Sequence, residues 1–94
     1  MHIETLKIFR DLVETQSFSL TAERNDMTQS AVSQQITTLE ARYKDRLLVR
    51  ERGRREVSLT YVGELFYQRC CSVVDSYELL NKDMRFLERN VSTT

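Results

Sequence analysis

The sequence has one histidine, no proline, no tryptophan, two glycines and two cysteines that stand side by side, and each scarcity excludes something. His2 lies at the N-terminus, and the acidic residues are scattered at helix-surface spacing, so neither a histidine-assisted nucleophile nor a metal cluster can be assembled. Two glycines make no phosphate-cradling loop. Cys70 and Cys71 form neither a disulfide framework nor a CxxC metal pair, and they suit a reducing compartment. No stretch approaches the roughly 18 apolar residues of a membrane helix. Glu4, Asp11 and Glu14 make the first 20 residues too acidic for a signal peptide. What remains is one small cytoplasmic domain with no enzyme, metal, cofactor or membrane reading. At 94 residues it buries only roughly 60% of its unfolded surface, so a partner subunit is expected from the start.

Net charge is zero, with fourteen basic and fourteen acidic residues, but the distribution is uneven. Residues 1–41 carry three basic and six acidic groups; residues 56–94 carry four and six. Between them Arg42, Lys44, Arg46, Arg50, Arg52, Arg54 and Arg55 face only Asp45 and Glu51. A local cluster of this kind, rather than bulk charge, is what meets phosphates.

Apolar periodicity predicts the elements. Leu6, Phe9, Leu12 and Val13 place one stripe on a helix over Ile3 to Thr15. Ser19 is the expected N-cap of a short helix from Leu20 to Asn25. Thr28 caps a third, whose Val32, Ile36, Leu39 and Tyr43 form a single seam. Leu47-Leu48-Val49 and Val57-Ser58-Leu59 then read as two short strands around Gly53, a hairpin with a longer loop that projects the arginines. Thr60 caps a last helix with a heptad-like seam of Phe66, Cys70, Val73, Tyr77, Leu80, Met84 and Leu87. A helix this long cannot bury such a seam alone, so the seam is expected to pair with another copy, while Val62, Leu65 and Val74 pack on the domain.

Two short helices joined by a tight turn, the second amphipathic, followed by a basic hairpin, match a winged helix-turn-helix built for DNA. The third helix carries the argument. From Thr28 to Thr38, TQSAVSQQITT holds no charge in a chain that is 30% charged. Its outward residues Gln29, Ser30, Ser33, Gln34, Thr37 and Thr38 suit base edges: glutamine bonds adenine N6 and N7 together, hydroxyls serve a base or a phosphate, and a threonine methyl meets a thymine methyl. The helix start, Thr28 to Ser30, offers free N–H groups to a phosphate. Arg50, Arg52, Arg54 and Arg55 would enter a narrow minor groove or hold its phosphates.

These residues resemble the N-terminal DNA-binding domain of LysR-type transcriptional regulators. The likeness runs from Leu6 to Gly63 through Leu6 and Phe9, Ser17-Phe18, Ala22-Glu23, Gln29, Ala31-Val32-Ser33, Gln35-Ile36, Leu39-Glu40, Leu47, Arg50, Leu59-Thr60 and Gly63. It implies a mainly α fold with a small β-hairpin: a winged helix-turn-helix over residues 1–60, a linker helix over 61–90 that pairs antiparallel with its mate, and a frayed tail over 91–94. The implied partners are double-stranded DNA, read as an interrupted inverted repeat, and a second copy of the chain. A tetramer in a full-length form and contact with RNA polymerase stay open. Several positions depart from the family. Thr21 stands where alanine is favoured, Asn25 where a buried leucine is, Ser30 in place of a frequent proline, and Lys44 in place of the turn glycine. Losing the leucine would cost roughly 2 to 5 kcal/mol unless Asn25 finds partners or the helix ends earlier. The segment from Arg50 to Thr60 is about two residues longer than the common pattern. Nothing corresponds to the two-lobed effector-binding domain usual after the linker helix, so the chain reads as an excised DNA-binding domain or a naturally short protein.

Two other readings stay open. Winged helices also bind proteins, and the seam from Phe66 to Leu87 is a ready partner surface. If Cys70 sat in that seam, oxidation would cross-link two subunits.

Overall fold

The computed structural model describes residues 1–49 and 57–91, with side chains through Arg89. Four helices follow in order: α1 (Ile3–Thr15), α2 (Phe18–Arg24), α3 (Gln29–Tyr43) and α4 (Tyr61–Val91). α1 has the predicted bounds. It ends because Gln16 turns into the left-handed region at φ 59°, its N–H bonding the Leu12 carbonyl at 2.9 Å. Leu6, Ile8, Phe9 and Leu12 of α1 meet Ala22, Val32, Ile36, Leu39, Leu47, Leu48, Cys70 and Val74 in one core.

α2 begins earlier than expected, and its N-cap is Ser17 instead of Ser19. The Ser17 hydroxyl accepts from the Leu20 N–H at 3.1 Å. Ser17 is held extended by its neighbours: its N–H donates to the Thr15 hydroxyl oxygen, and its carbonyl accepts from the hydroxyl of Thr21 at 2.7 Å. Thr21 is fully buried, so this hydroxyl is satisfied where alanine would need nothing. At the other end Asn25 caps the helix, its Nδ2 donating to Asp11 Oδ2 at 3.0 Å and to the Thr21 carbonyl at 2.8 Å. The cost of the missing leucine is met by both escapes, an earlier helix end and new polar partners.

In α3 the Thr28 hydroxyl accepts from the Ala31 N–H, as predicted, and Val32, Ile36 and Leu39 are buried. Tyr43 leaves that seam. It is 45% exposed and packs its ring at 5.3 Å from that of Phe66. Lys44 does the work of the turn glycine itself, at φ 54° and ψ 39°.

The predicted hairpin is reduced among the described residues to one antiparallel bridge, Leu48 with Leu59, flanked by Val49 N–H to Ser58 O at 2.9 Å and Thr60 N–H to Leu47 O at 3.0 Å. No strand forms there. Residues 50–56, with Arg50, Arg52, Arg54 and Arg55, lie outside the described residues, as do 92–94 of the expected tail. Thr60 caps α4 as predicted, its Oγ1 accepting from the Gly63 N–H at 3.0 Å and donating to the Arg46 carbonyl at 2.6 Å.

The heptad seam of α4 is divided. Phe66 and Cys70 belong to the domain's own core, which corrects their assignment to a dimer surface: the Phe66 ring stands edge-on to Phe9 at 5.1 Å, and Cys70 is 3% exposed with its thiol donating to the Leu6 carbonyl. The first half of α4 lies along α1 and these two side chains face it. Tyr77 is half-buried beneath Lys7, whose ammonium lies 5.4 Å from the ring centroid. Val73, Leu80, Met84 and Leu87 remain about half exposed. Leu65, expected to pack on the domain, is exposed, whereas Val74 is buried and Val62 half-buried as expected. Arg10 fastens the two helices, reaching Glu78 at 3.0 Å.

Candidate nucleic-acid interface

α3 is amphipathic because one side fills the core while the other carries short neutral side chains. Thr28, Gln29, Ser30, Ser33, Gln34, Thr37 and Thr38 are all exposed. Ser30, Ser33, Gln34, Thr37 and Thr38 share one face by the helical period, and Gln29 stands at its N-terminal edge. Among the described residues, no hydrogen bond involves the side chains of Gln29, Ser30, Ser33 or Gln34. These four are available in full. Thr37 and Thr38 are partly committed: their hydroxyls donate to the carbonyls of Ser33 at 3.0 Å and Gln34 at 2.9 Å. Each therefore presents an oxygen that accepts and a methyl that packs, a combination that suits an exocyclic amine or a thymine methyl. The Thr28 hydroxyl is spent on its cap.

Sequence reasoning counted the cations beside this face in the basic segment but did not name them among the DNA-contacting residues. Lys44 and Arg46 line a shallow groove with Thr37, Glu40, Ala41 and Asp45. The Arg46 guanidinium lies 3.7 Å from Glu40 Oε1 but is 67% exposed, so it keeps donors for an anion. Membership of the basic segment was their signal in the sequence; the turn after α3 places them next to Thr37.

The cysteines take no part. Burial pushes the Cys70 thiol up to about 12, with further effect from Cys71 alongside, so the nucleophilic thiolate is scarce at neutral pH. A cross-link through Cys70 is ruled out by its place in the core. Among the described residues no group of three metal-ligating side chains comes together, and no helix is long and apolar enough to cross a membrane.

Residues 3–64 match the family described as bacterial regulatory helix-turn-helix protein, lysR family. An uncharacterised helix-turn-helix transcriptional regulator of Haemophilus influenzae is 33% identical over 72 residues, which are 77% of this chain and 24% of that protein. The transcriptional regulator CatR of Pseudomonas putida is 34% identical over 85 residues, 90% of this chain and 28% of CatR. The chain thus spans about a quarter of the length of these two relatives. Among solved structures, the BenM DNA-binding domain in complex with catB site 1 DNA superimposes with a TM-score of 0.84 at 31% identity, covering 94% of this chain and 96% of that one.

Proposed function

Because the chain belongs to the lysR family of bacterial regulatory helix-turn-helix proteins, we propose that it is the DNA-reading part of a transcriptional regulator, residues 1–60 docking on a duplex and residues 61–90 joining two copies. The observation that carries this reading is the neutral, exposed face of α3 flanked by Lys44 and Arg46. In this arrangement α3 lies in the major groove. Gln29, Ser30, Ser33, Gln34, Thr37 and Thr38 face base edges, and the N–H groups at the helix start meet a phosphate. Arg50, Arg52, Arg54 and Arg55 follow the flanking minor groove. The half-exposed stripe Val73, Leu80, Met84 and Leu87, together with Tyr77, pairs with the same stripe of a second copy. A two-fold dimer then reads two half-sites of an inverted repeat with a gap between them. The solved BenM complex supports the docking by its likeness to this chain.

Selection of binding sites from a random duplex library, followed by titration of the winner at two salt concentrations, tests the reading. An inverted repeat whose affinity falls steeply with salt is expected. Gln29→Ala or Gln34→Ala should cost roughly 1 to 3 kcal/mol and relax preference at one position per half-site, whereas Arg52→Ala or Arg54→Ala should weaken all sequences and lower the salt slope by about 1. Weak, sequence-blind binding by the wild type would instead favour a protein partner for the winged helix.

A further inference from the structure

The outward face of α3 stays uncharged until the helix ends. Ser30, Ser33, Thr37, Ala41 and Lys44 follow one another at three- and four-residue steps and share one line along the helix. Lys44, the C-cap, is the first charge on that line. Arg46, two residues on, lines the same groove with Thr37 and Lys44, and the exposed Ala41 leaves the approach to it open. Both cations spring from fixed backbone. The Lys44 N–H donates to the Ala41 carbonyl at 3.3 Å, the Asp45 N–H donates to the Glu40 carbonyl at 3.1 Å, and the Arg46 carbonyl accepts from the Thr60 hydroxyl at 2.6 Å. The acidic neighbours are already engaged: Asp45 Oδ1 accepts from the Arg46 N–H at 2.9 Å, and Glu40 Oε2 accepts from the Leu47 and Leu48 N–H groups at 2.8 and 3.2 Å. A helix C-terminus favours a cation beside its carbonyls, but Arg42 in the last turn of α3 already supplies one. Two further cations on one side call for a different partner.

We propose that Lys44 and Arg46 hold a backbone phosphate of the duplex in the groove beside Thr37. The assignment rests on the proposed DNA-reading function and adds to it an anchor at the end of α3 opposite the helix start. A recognition helix reads bases with its N-terminal residues. From Ser30 to Lys44 the helix runs on for roughly 21 Å, against a major groove about 12 Å wide. The C-terminal end of the line therefore leaves the floor of the groove and meets its wall, where the phosphates stand. Neutral side chains over the bases and cations at the wall divide the work. A guanidinium bonds a phosphate as a fork and an ammonium meets it as a point charge, so the two side chains complement each other on one anion. The contact carries no sequence information of its own but fixes the register in which α3 meets the bases. Because the backbone beneath both residues is held, little of it is left to order on binding.

Lys44→Gln and Arg46→Gln, singly and together, test the anchor in duplex titrations at several salt concentrations. The double variant should bind the selected duplex roughly tenfold more weakly at low salt and lose about 0.9 from the salt slope for each protomer bound, with base preference unchanged. A second arm locates the contact by replacing each phosphate of the duplex in turn with a neutral methylphosphonate. One such replacement per half-site, at the edge of the bases read by α3, should weaken the wild type and leave the double variant unaffected. Thermal denaturation separates a folding role: a loss of stability in R46Q with affinity and slope unchanged would reduce Arg46 to a partner of Glu40 and overturn the proposal. An equal response of wild type and double variant to every methylphosphonate overturns it as well. If R46Q does not fold, K44Q carries both arms, and an unchanged slope there overturns the proposal. A wild type that binds no duplex removes the proposed function and the anchor with it, whereas a wild type that binds selectively and variants that match it remove the anchor alone.

Discussion

Replacing Gly63 by alanine probes the contact on which the junction of α3, the bridge and α4 depends. A Cβ built on Gly63 falls 2.0 Å from the Leu47 carbonyl oxygen, 2.9 Å from its carbon and 3.2 Å from Leu47 Cα. The obstacle is backbone, so no rotamer change relieves it. That carbonyl already accepts from the Thr60 N–H at 3.0 Å, and the Leu47 N–H is bound to Glu40. Retreat by the ångström or more required would strain both bonds. Overpacking against a fixed partner costs about 3 kcal/mol at the upper end of its range, and the better helix propensity of alanine returns about 1, leaving a net loss of about 2 kcal/mol. For a domain of this size that is a fall of about 8–16 °C in Tm. Thermal and urea denaturation followed by circular dichroism, at one protomer concentration because dimerisation would add its own stabilisation, measure it. An alanine variant as stable as the parent, or more stable as an ordinary exposed helix position would be, would refute the close approach of α4 to Leu47.

Asn25→Ala should lose about 1–3 kcal/mol in the same assay, because Asp11 Oδ2 and the Thr21 carbonyl lose a donor; no loss would mean that α2 ends without that cap. Lys44→Gly relieves a left-handed residue and should gain about 0.5–1 kcal/mol, while weakening duplex binding if Lys44 meets a phosphate. The Cys70 thiol, raised from its ordinary value near 9 to about 12, contributes stability that is complete below pH 9 and is lost as pH climbs toward 12, because the unfolded chain ionises first. Cys70→Ala should flatten that part of the alkaline profile, and native Cys70 should resist iodoacetamide at pH 8 while the unfolded chain reacts. Leu80→Asp places a charge on the exposed stripe of α4, and sedimentation at micromolar concentration should show the monomer; an unchanged dimer would move the interface elsewhere.

What local chemistry settles was legible in the linear order. Leu6, Phe9 and Leu12 at helical spacing marked α1, and the hydroxyls of Thr28 and Thr60 marked where α3 and α4 begin, because a cap needs only residues a few positions away. The neutral run from Thr28 to Thr38 was visible in the same way, and the structure leaves all its outward residues exposed. Two serines two residues apart were locally equivalent caps for α2. The choice of Ser17 came from Thr15 and Thr21, which bond Ser17 across the turn between helices. A heptad repeat says that a face will be covered and is silent on which neighbour covers it. Leu6 and Phe9 of α1 claimed Cys70 and Phe66, leaving Val73, Leu80, Met84 and Leu87 at the surface. Glu40 shows the same limit, since a glutamate on a helix reads as a solvated charge until the chain seven and eight residues on returns two amides to it. Sequence by itself determined where α1, α3 and α4 start, which residues of the helices are apolar, and that α3 carries an uncharged outer face, because these depend on contacts within one turn. Only the tertiary structure decided which apolar face is core and which is left for a partner, and which polar groups are spent inside the fold, because each depends on what lies opposite.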